Sequence, residues 1–123
     1  MRSAGQKRIK KRYKLITERQ IQKLAEIVSN ETKAIKMYLF GSYAEKKGDK
    51  DSDVDLLVVV KNDLSKEERR KLIASLSIRT MTENLFFPKD FKIYSLNEFN
   101  LLKGNKQSFL YHILKNSKPL YFG

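Results

Sequence analysis

Residues 53–60, "DVDLLVVV", constrain this chain more than any other stretch. Side chains alternate along a strand, and from Leu56 to Val60 both sides are apolar. Valine-rich runs of this kind favour strands, and one apolar on both faces is an inner strand that must be covered on both sides. The natural assembly is therefore an α+β domain, a mixed β-sheet with flanking helices. A chain of 123 residues is long enough for one core of this kind and too short for two.

The same strand opens on Asp53 and Asp55, residues that strands disfavour. Two positions apart, they face the same way, roughly 7 Å from each other along the strand. Leu57 and Val59 continue that face into the core, so the carboxylates stand at a buried rim where like charges are costly. A divalent cation would remove the repulsion, and hard oxygen ligands select Mg²⁺ or Mn²⁺. Taken alone, the pair reads more readily as an ordinary polar strand end. Gly41-Ser42 changes that reading. A glycine at a strand end admits close approach, and a serine opening a helix presents free N–H groups and a hydroxyl to phosphate.

Local signals place the other elements. Thr17 and Gln20 have capping-box spacing, and Ile21, Leu24, Ala25, Ile27 and Val28 recur at helical intervals, predicting a helix to about Glu31. "AIKMYLF", residues 34–40, reads as a strand ending at Gly41, with a helical turn starting at Ser42. "SKEE", residues 65–68, opens a second helix with Leu72, Ile73 and Leu76 on its inner side. Pro88 precedes a third strand, "DFKIYSL", after which Asn97 is placed to cap a short helix containing Phe99 and Leu102. A last helix is expected over 106–115, with Phe109, Leu110, Ile113 and Leu114 buried, followed by an edge strand in "KPLYFG".

The charge of +12 is uneven. Residues 1–16 hold Arg2, Lys7, Arg8, Lys10, Lys11, Arg12 and Lys14 without an acid, a basic N-terminal arm ahead of a domain over 17–123. Such an arm suits phosphate or an acidic partner, or serves solubility alone. No apolar run approaches the ~18 residues of a membrane span, and "KLITERQIQ" is amphipathic, so neither membrane insertion nor a signal peptide is expected. With no cysteine, disulfides, zinc–thiolate sites and cysteine nucleophiles are excluded, which fits a cytoplasmic protein. His112 has no evident second ligand and reads as structural.

"GSYAEKKGDKDSDVD" resembles the Gly-Ser, ten-residue, Asp-x-Asp signature of the polymerase-beta-like nucleotidyltransferases. The chain looks most like the minimal nucleotidyltransferases that pair with HEPN-domain proteins in type VII-like toxin–antitoxin operons. "FGSYA", "DSDVDLLVVV", "DFKIYSLNEF" and "SFLYHILKNSKPLY" carry the likeness along nearly the whole ordered chain. The resemblance implies a polymerase-beta-like palm fold, phosphate binding at Gly41 and Ser42, and metal binding and catalysis at Asp53, Asp55 and Asp90. It also implies ATP as substrate, Mg²⁺ or Mn²⁺ as cofactor, and attack of an acceptor hydroxyl on the α-phosphorus with loss of pyrophosphate. Asp90 would orient or deprotonate that hydroxyl. Where the family often has a basic residue and then glycine, this chain has Glu45 and Lys46, with glycine only at Gly48. Lys46 and Lys47 are the candidates to restore phosphate binding.

The chain has no room for the second domain of larger relatives, so a partner should complete the acceptor site. The resemblance implies an antitoxin that adenylylates a tyrosine of a HEPN ribonuclease. The alternatives are nucleotide addition to RNA ends, favoured by the basic arm, and a non-catalytic nucleotide- or RNA-binding module.

Overall fold

The structure is a computed structural model that describes residues 15–49 and 52–120. Of the expected basic arm, residues 1–14 lie outside the described residues, as do Lys50, Asp51 and the end of the tail, 121–123. Helix α1 (Glu18–Thr32) leads to strand β1 (Lys36–Phe40), the short helix α2 (Gly41–Ala44) and strand β2 (Val54–Val60). Helix α3 (Lys66–Thr82), strand β3 (Lys89–Ser95), helices α4 (Leu96–Leu102) and α5 (Phe109–Lys115), and strand β4 (Lys118–Pro119) complete the order.

The four strands form one mixed sheet in the order β3-β2-β1-β4. β1 runs antiparallel to both β2 and β4, whereas β2 and β3 run parallel. β2 is an inner strand, as its two apolar faces require. Val54, Leu56 and Val58 pack on one side with α1 and α3, where Leu24, Val28 and Leu76 are wholly buried. Leu57 and Val59 pack on the other side with Phe99 of α4 and Leu110 of α5. All five β2 residues from Leu56 on are buried. At ~1.5–3 kcal/mol per buried aliphatic side chain, this strand anchors the domain.

Local chemistry explains the helix starts. Thr17 and Ser65 each accept from the backbone N–H three residues on, while Gln20 and Glu68 accept from the cap's own N–H. Some boundaries differ from those the sequence suggests. β1 begins at Lys36, because the chain leaves α1 through Lys33 in a left-handed conformation (φ 58°). α4 is capped by Ser95 and not by Asn97. Ser95 and Glu98 form a third capping box, and the Asn97 amide bonds Asp63 instead. Leu96 therefore belongs to the helix and not to the strand. The last helix starts at Phe109 under the Ser108 cap, and Phe109 is exposed where burial was expected. No described helix is long and apolar enough to cross a membrane.

Candidate active site at the carboxylate end of the sheet

The parallel register of β2 and β3 sets Asp90 directly beside Asp55, and the antiparallel register of β1 sets Phe40 on Asp55's other side. Asp53 precedes β2 by one residue and is exposed, while Asp55 and Asp90 are half-buried. The strand that the sequence starts at Asp53 thus begins at Val54, whose N–H is held by the Pro88 carbonyl at 3.0 Å. Asp55 sits at the rim of the face continued by Leu57 and Val59, both completely buried.

The cost of this placement is visible in Asp55. Burial first, then the charges of Asp90 and Asp53, push its pKa from 3.8 to about 6, while Lys92 pulls the other way. Lys92 is the site residue that sequence reading missed. Its ammonium lies 3.3 Å from Asp90 Oδ2. The available signal was its position two residues after Asp90 in the same strand, which gives it Asp90's face. Lys89, adjacent to Asp90 in sequence, alternates to the opposite face and donates to the Leu85 and Phe87 carbonyls at 2.7 and 2.9 Å.

Gly41 links the two halves of the motif. Its φ of 73° lies in the left-handed region, and a Cβ there would collide with the Asp55 carboxylate. Glycine is required both by the turn and by the close approach of the aspartate. Helix α2 starts at Gly41 with Phe40 in the cap position, so Ser42 is its second residue and not its opener. Ser42 is exposed, and no hydrogen bond of its hydroxyl occurs among the described residues. Its carbonyl accepts from the Lys47 N–H at 2.8 Å, folding residues 45–47 back toward it.

Glu45 and Lys47 form an exposed ion pair at 3.7 Å. The acid's charge thus faces a basic neighbour, although such surface pairs are weak. Lys46 is exposed with φ 59°. The displaced glycine has a structural explanation: a Cβ at Gly48 would lie within 2.8 Å of three atoms of the Tyr43 ring. The Tyr43 hydroxyl in turn donates to the Asp49 carbonyl at 3.0 Å and accepts from the Ile16 N–H at 3.4 Å. His112 is exposed, with Nε2 2.9 Å from the Lys106 carbonyl.

The structure thus gathers Gly41, Asp53, Asp55 and Asp90 at one end of the sheet, with Ser42 on the adjoining turn. Lys46 and Lys47 lie just beyond that turn. The carboxylates are hard oxygen donors whose mutual repulsion Lys92 relieves only in part, chemistry that suits a divalent cation such as Mg²⁺ or Mn²⁺. Among the described residues no three carboxylate or imidazole groups close around a single point. A cavity of about 550 Å³ between Glu31 of α1 and the Lys71–Thr82 side of α3 shares no residue with this end.

A mixed sheet that sets a Gly-Ser turn against paired aspartates defines a nucleotidyltransferase-type domain. The chain matches the family profile "Polymerase beta, Nucleotidyltransferase" over residues 22–122 and belongs to that family. Among solved structures, a toxin–antitoxin MntA-HpeT with a substituted tyrosine is similar at 23% identity and TM-score 0.52, covering 89% of this chain and 75% of the other. A toxin–antitoxin with AMP-PNP is similar at 21% identity and TM-score 0.50, with coverage of 88% and 75%. A Sulfolobus solfataricus protein described as a nucleotidyltransferase is similar at 19% identity and TM-score 0.50, with coverage of 69% and 72%. At these identities the neighbours establish the fold. No curated protein matches the chain significantly.

Proposed function

We propose that this protein transfers AMP from ATP to a tyrosine hydroxyl of a HEPN ribonuclease partner, as the antitoxin of a toxin–antitoxin pair. The observation that carries the chemistry is the Asp55–Asp90 pairing beneath Gly41, where a raised carboxylate pKa marks charge awaiting a counter-ion. The neighbouring toxin–antitoxin structures, one of them with the ATP analogue AMP-PNP, support the choice of donor and partner.

In this mechanism Asp53, Asp55 and Asp90 are the residues that would hold Mg²⁺ or Mn²⁺. When bound, the metal would supply Lewis acidity for the ionised acceptor and the departing pyrophosphate. The chain's own residues do the rest. The exposed Ser42 hydroxyl and the first N–H groups of α2 contact the triphosphate oxygens, and Gly41 lets the phosphates approach Asp55. Lys46 adds charge to the phosphates, with Lys47 shared between them and Glu45. Asp90 accepts the acceptor's proton as the oxygen attacks the α-phosphorus. The α–β bridging bond breaks, and its electron pair leaves on pyrophosphate.

A phenol has an ordinary pKa of about 10, so modest help suffices to ionise it. The attached AMP places negative charge on the partner, which would repel RNA from a ribonuclease site. Ile16 packs against the domain and bonds Tyr43, so the arm ends before it; its seven basic residues, all within 2–14, are in this reading available for RNA or partner contact. Intact mass spectrometry of the partner after incubation with this protein, ATP and Mg²⁺ should show added AMP, lost when the acceptor tyrosine is replaced. RNA lengthened by this protein alone, with the partner unmodified, would replace this reading by RNA-end nucleotide addition.

A further inference from the structure

The carboxylate end of the sheet also carries an aromatic ring that the chemistry above does not use. Phe109 opens α5 and is 54% exposed. Its ring meets Phe40 edge-on, with centroids 6.5 Å apart and planes at 85°, and Phe40 stands opposite Asp55 in β1. From the β3 side, Lys92 places its ammonium 6.0 Å from the Phe109 centroid while remaining in its ion pair with Asp90. β2 lies between β1 and β3, so a ring set between Phe40 of β1 and the Lys92 ammonium that reaches over from β3 lies near β2. Asp55, opposite Phe40, projects from the same face. An apolar plate, a cation and the candidate catalytic carboxylates therefore share one patch.

We propose that Phe109 and Lys92 form the platform on which the acceptor's aromatic ring docks, with a tyrosine stacked on Phe109 and its hydroxyl directed at Asp90. This rests on the transfer reading above and names the acceptor side of that site. The ring's second neighbour assigns it to the acceptor: Lys92 is ion-paired to Asp90, the carboxylate that takes the acceptor's proton in that reading. Gly41 and Ser42, on the phosphate side, follow β1, whereas Asp90 and Lys92 lie on β3. The attacking group therefore enters from the β3 side. An offset or edge-on aromatic contact with Phe109 is favourable and fixes the ring plane. The Lys92 ammonium near the phenol oxygen favours the ionised, nucleophilic form. In the step, the phenol proton passes to Asp90, the oxygen bonds to the α-phosphorus, and pyrophosphate leaves with the bridging electron pair.

The test uses the full chain and two probes. Nuclear Overhauser contacts are expected between the Phe109 ring protons and the ring of N-acetyltyrosinamide, and should vanish in Phe109→Ala. Contacts to the adenine of ATP–Mg²⁺ instead, or to neither probe, overturn the proposal. In transfer assays with the protein partner, Phe109→Ala should raise the acceptor KM at least ~10-fold while the ATP KM stays unchanged. Phe109→Leu, which keeps an apolar contact with Phe40, should show the same split and excludes misfolding as its cause. An equal rise in both KM values, or none in the acceptor KM, overturns the platform. A wild-type protein that moves no AMP to the partner defeats the transfer reading, whereas the probe contacts decide the platform without it.

Discussion

The β2–β3 pair carries acids at both of its ends, and the two ends treat them in opposite ways. At the entry, Asp55 and Asp90 face each other in register, and burial with neighbouring acids raises the Asp55 pKa to about 6. At the exit, beside Ser95, Glu98 also feels burial, yet its pKa is lowered. The Ser95 N–H donates to it at 2.8 Å, and Arg69 Nη2 reaches both of its oxygens at 3.1 Å. Arg69 also donates to the Ile93 carbonyl at 2.7 Å, so one guanidinium ties α3, β3 and α4 together. The exit acid has every partner it needs. The entry acids have each other and Lys92. An arrangement built for stability alone would resemble the exit, and the entry, where Lys92 relieves the acids only in part, is the end that the transfer reading assigns to a ligand.

The sharpest way to break this contrast is Asp55→Asn. If the entry is catalytic, transfer should fall at least ~100-fold, the scale of losing a group that stabilises transition-state charge. Metal-free protein should instead become slightly more stable, because a repelled carboxylate is gone. Thermal melting with and without Mg²⁺, beside the activity assay, reads both. A wild type indifferent to Mg²⁺, with a fully active Asp55→Asn, would mean that the entry is only a polar strand end.

At the exit the expectation reverses. Arg69→Met takes the guanidinium from the Ile93 carbonyl and from Glu98, which keeps only the Ser95 N–H, and should cost ~1–2 kcal/mol, with transfer per folded molecule unchanged. Denaturant unfolding measures the first and the AMP-transfer assay the second. A stable Arg69→Met would show that the exit network is decorative.

Gly41→Ala sharpens the comparison by testing what confines Asp55. The left-handed φ costs about 1 kcal/mol for alanine, and the collision with the Asp55 carboxylate adds to it. The double variant Gly41→Ala/Asp55→Ala should recover the collision but not the backbone strain. A double-mutant cycle with no coupling would mean that the aspartate moves aside freely.

Most of this was legible where the controlling interaction is local. Thr17–Gln20 and Ser65–Glu68 announce their helices because a cap and its partner are three residues apart. Ser95–Glu98 has the same spacing, but "YSL" continues a strand pattern and conceals the change of period. The apolar run in β2 revealed an inner strand, and Gly-Ser with Asp-x-Asp pointed to the end of the sheet where Gly41, Asp55 and Asp90 come together. The direct Asp55–Asp90 pairing was not legible, since parallel register is set across α3 by the packing of both strands. Phe109 misled for a related reason. Helical periodicity assigns it to the core, but the first residue of α5 projects past the end of the covered face, beside Phe40.

The smallest effect is also the most direct comparison of the two ends, because their acids should give stability opposite pH dependences. Folded protein holds the Asp55 proton up to about pH 6, whereas the unfolded chain releases it near 3.8. Asp55 therefore stabilises the fold most at the acid side of this window, and that contribution is lost as pH rises through 6. After discounting for its partial exposure, the change amounts to ~1 kcal/mol. Glu98 titrates lower in the fold than in the unfolded chain, so its contribution is complete above the ordinary carboxylate range and disappears as pH falls through its folded value. Chemical denaturation from the acid side of the carboxylate range up to neutral pH, without divalent cations, should show stability declining as pH approaches about 6 in wild type and no such decline in Asp55→Asn. Glu98→Gln should leave that decline intact while removing the acid-side loss. Saturating Mg²⁺ should abolish the wild-type decline, since a cation bound to ionised Asp55 favours the form that the bare site penalises. A decline that persists in Asp55→Asn would place the titrating group elsewhere and erase the distinction between the two ends.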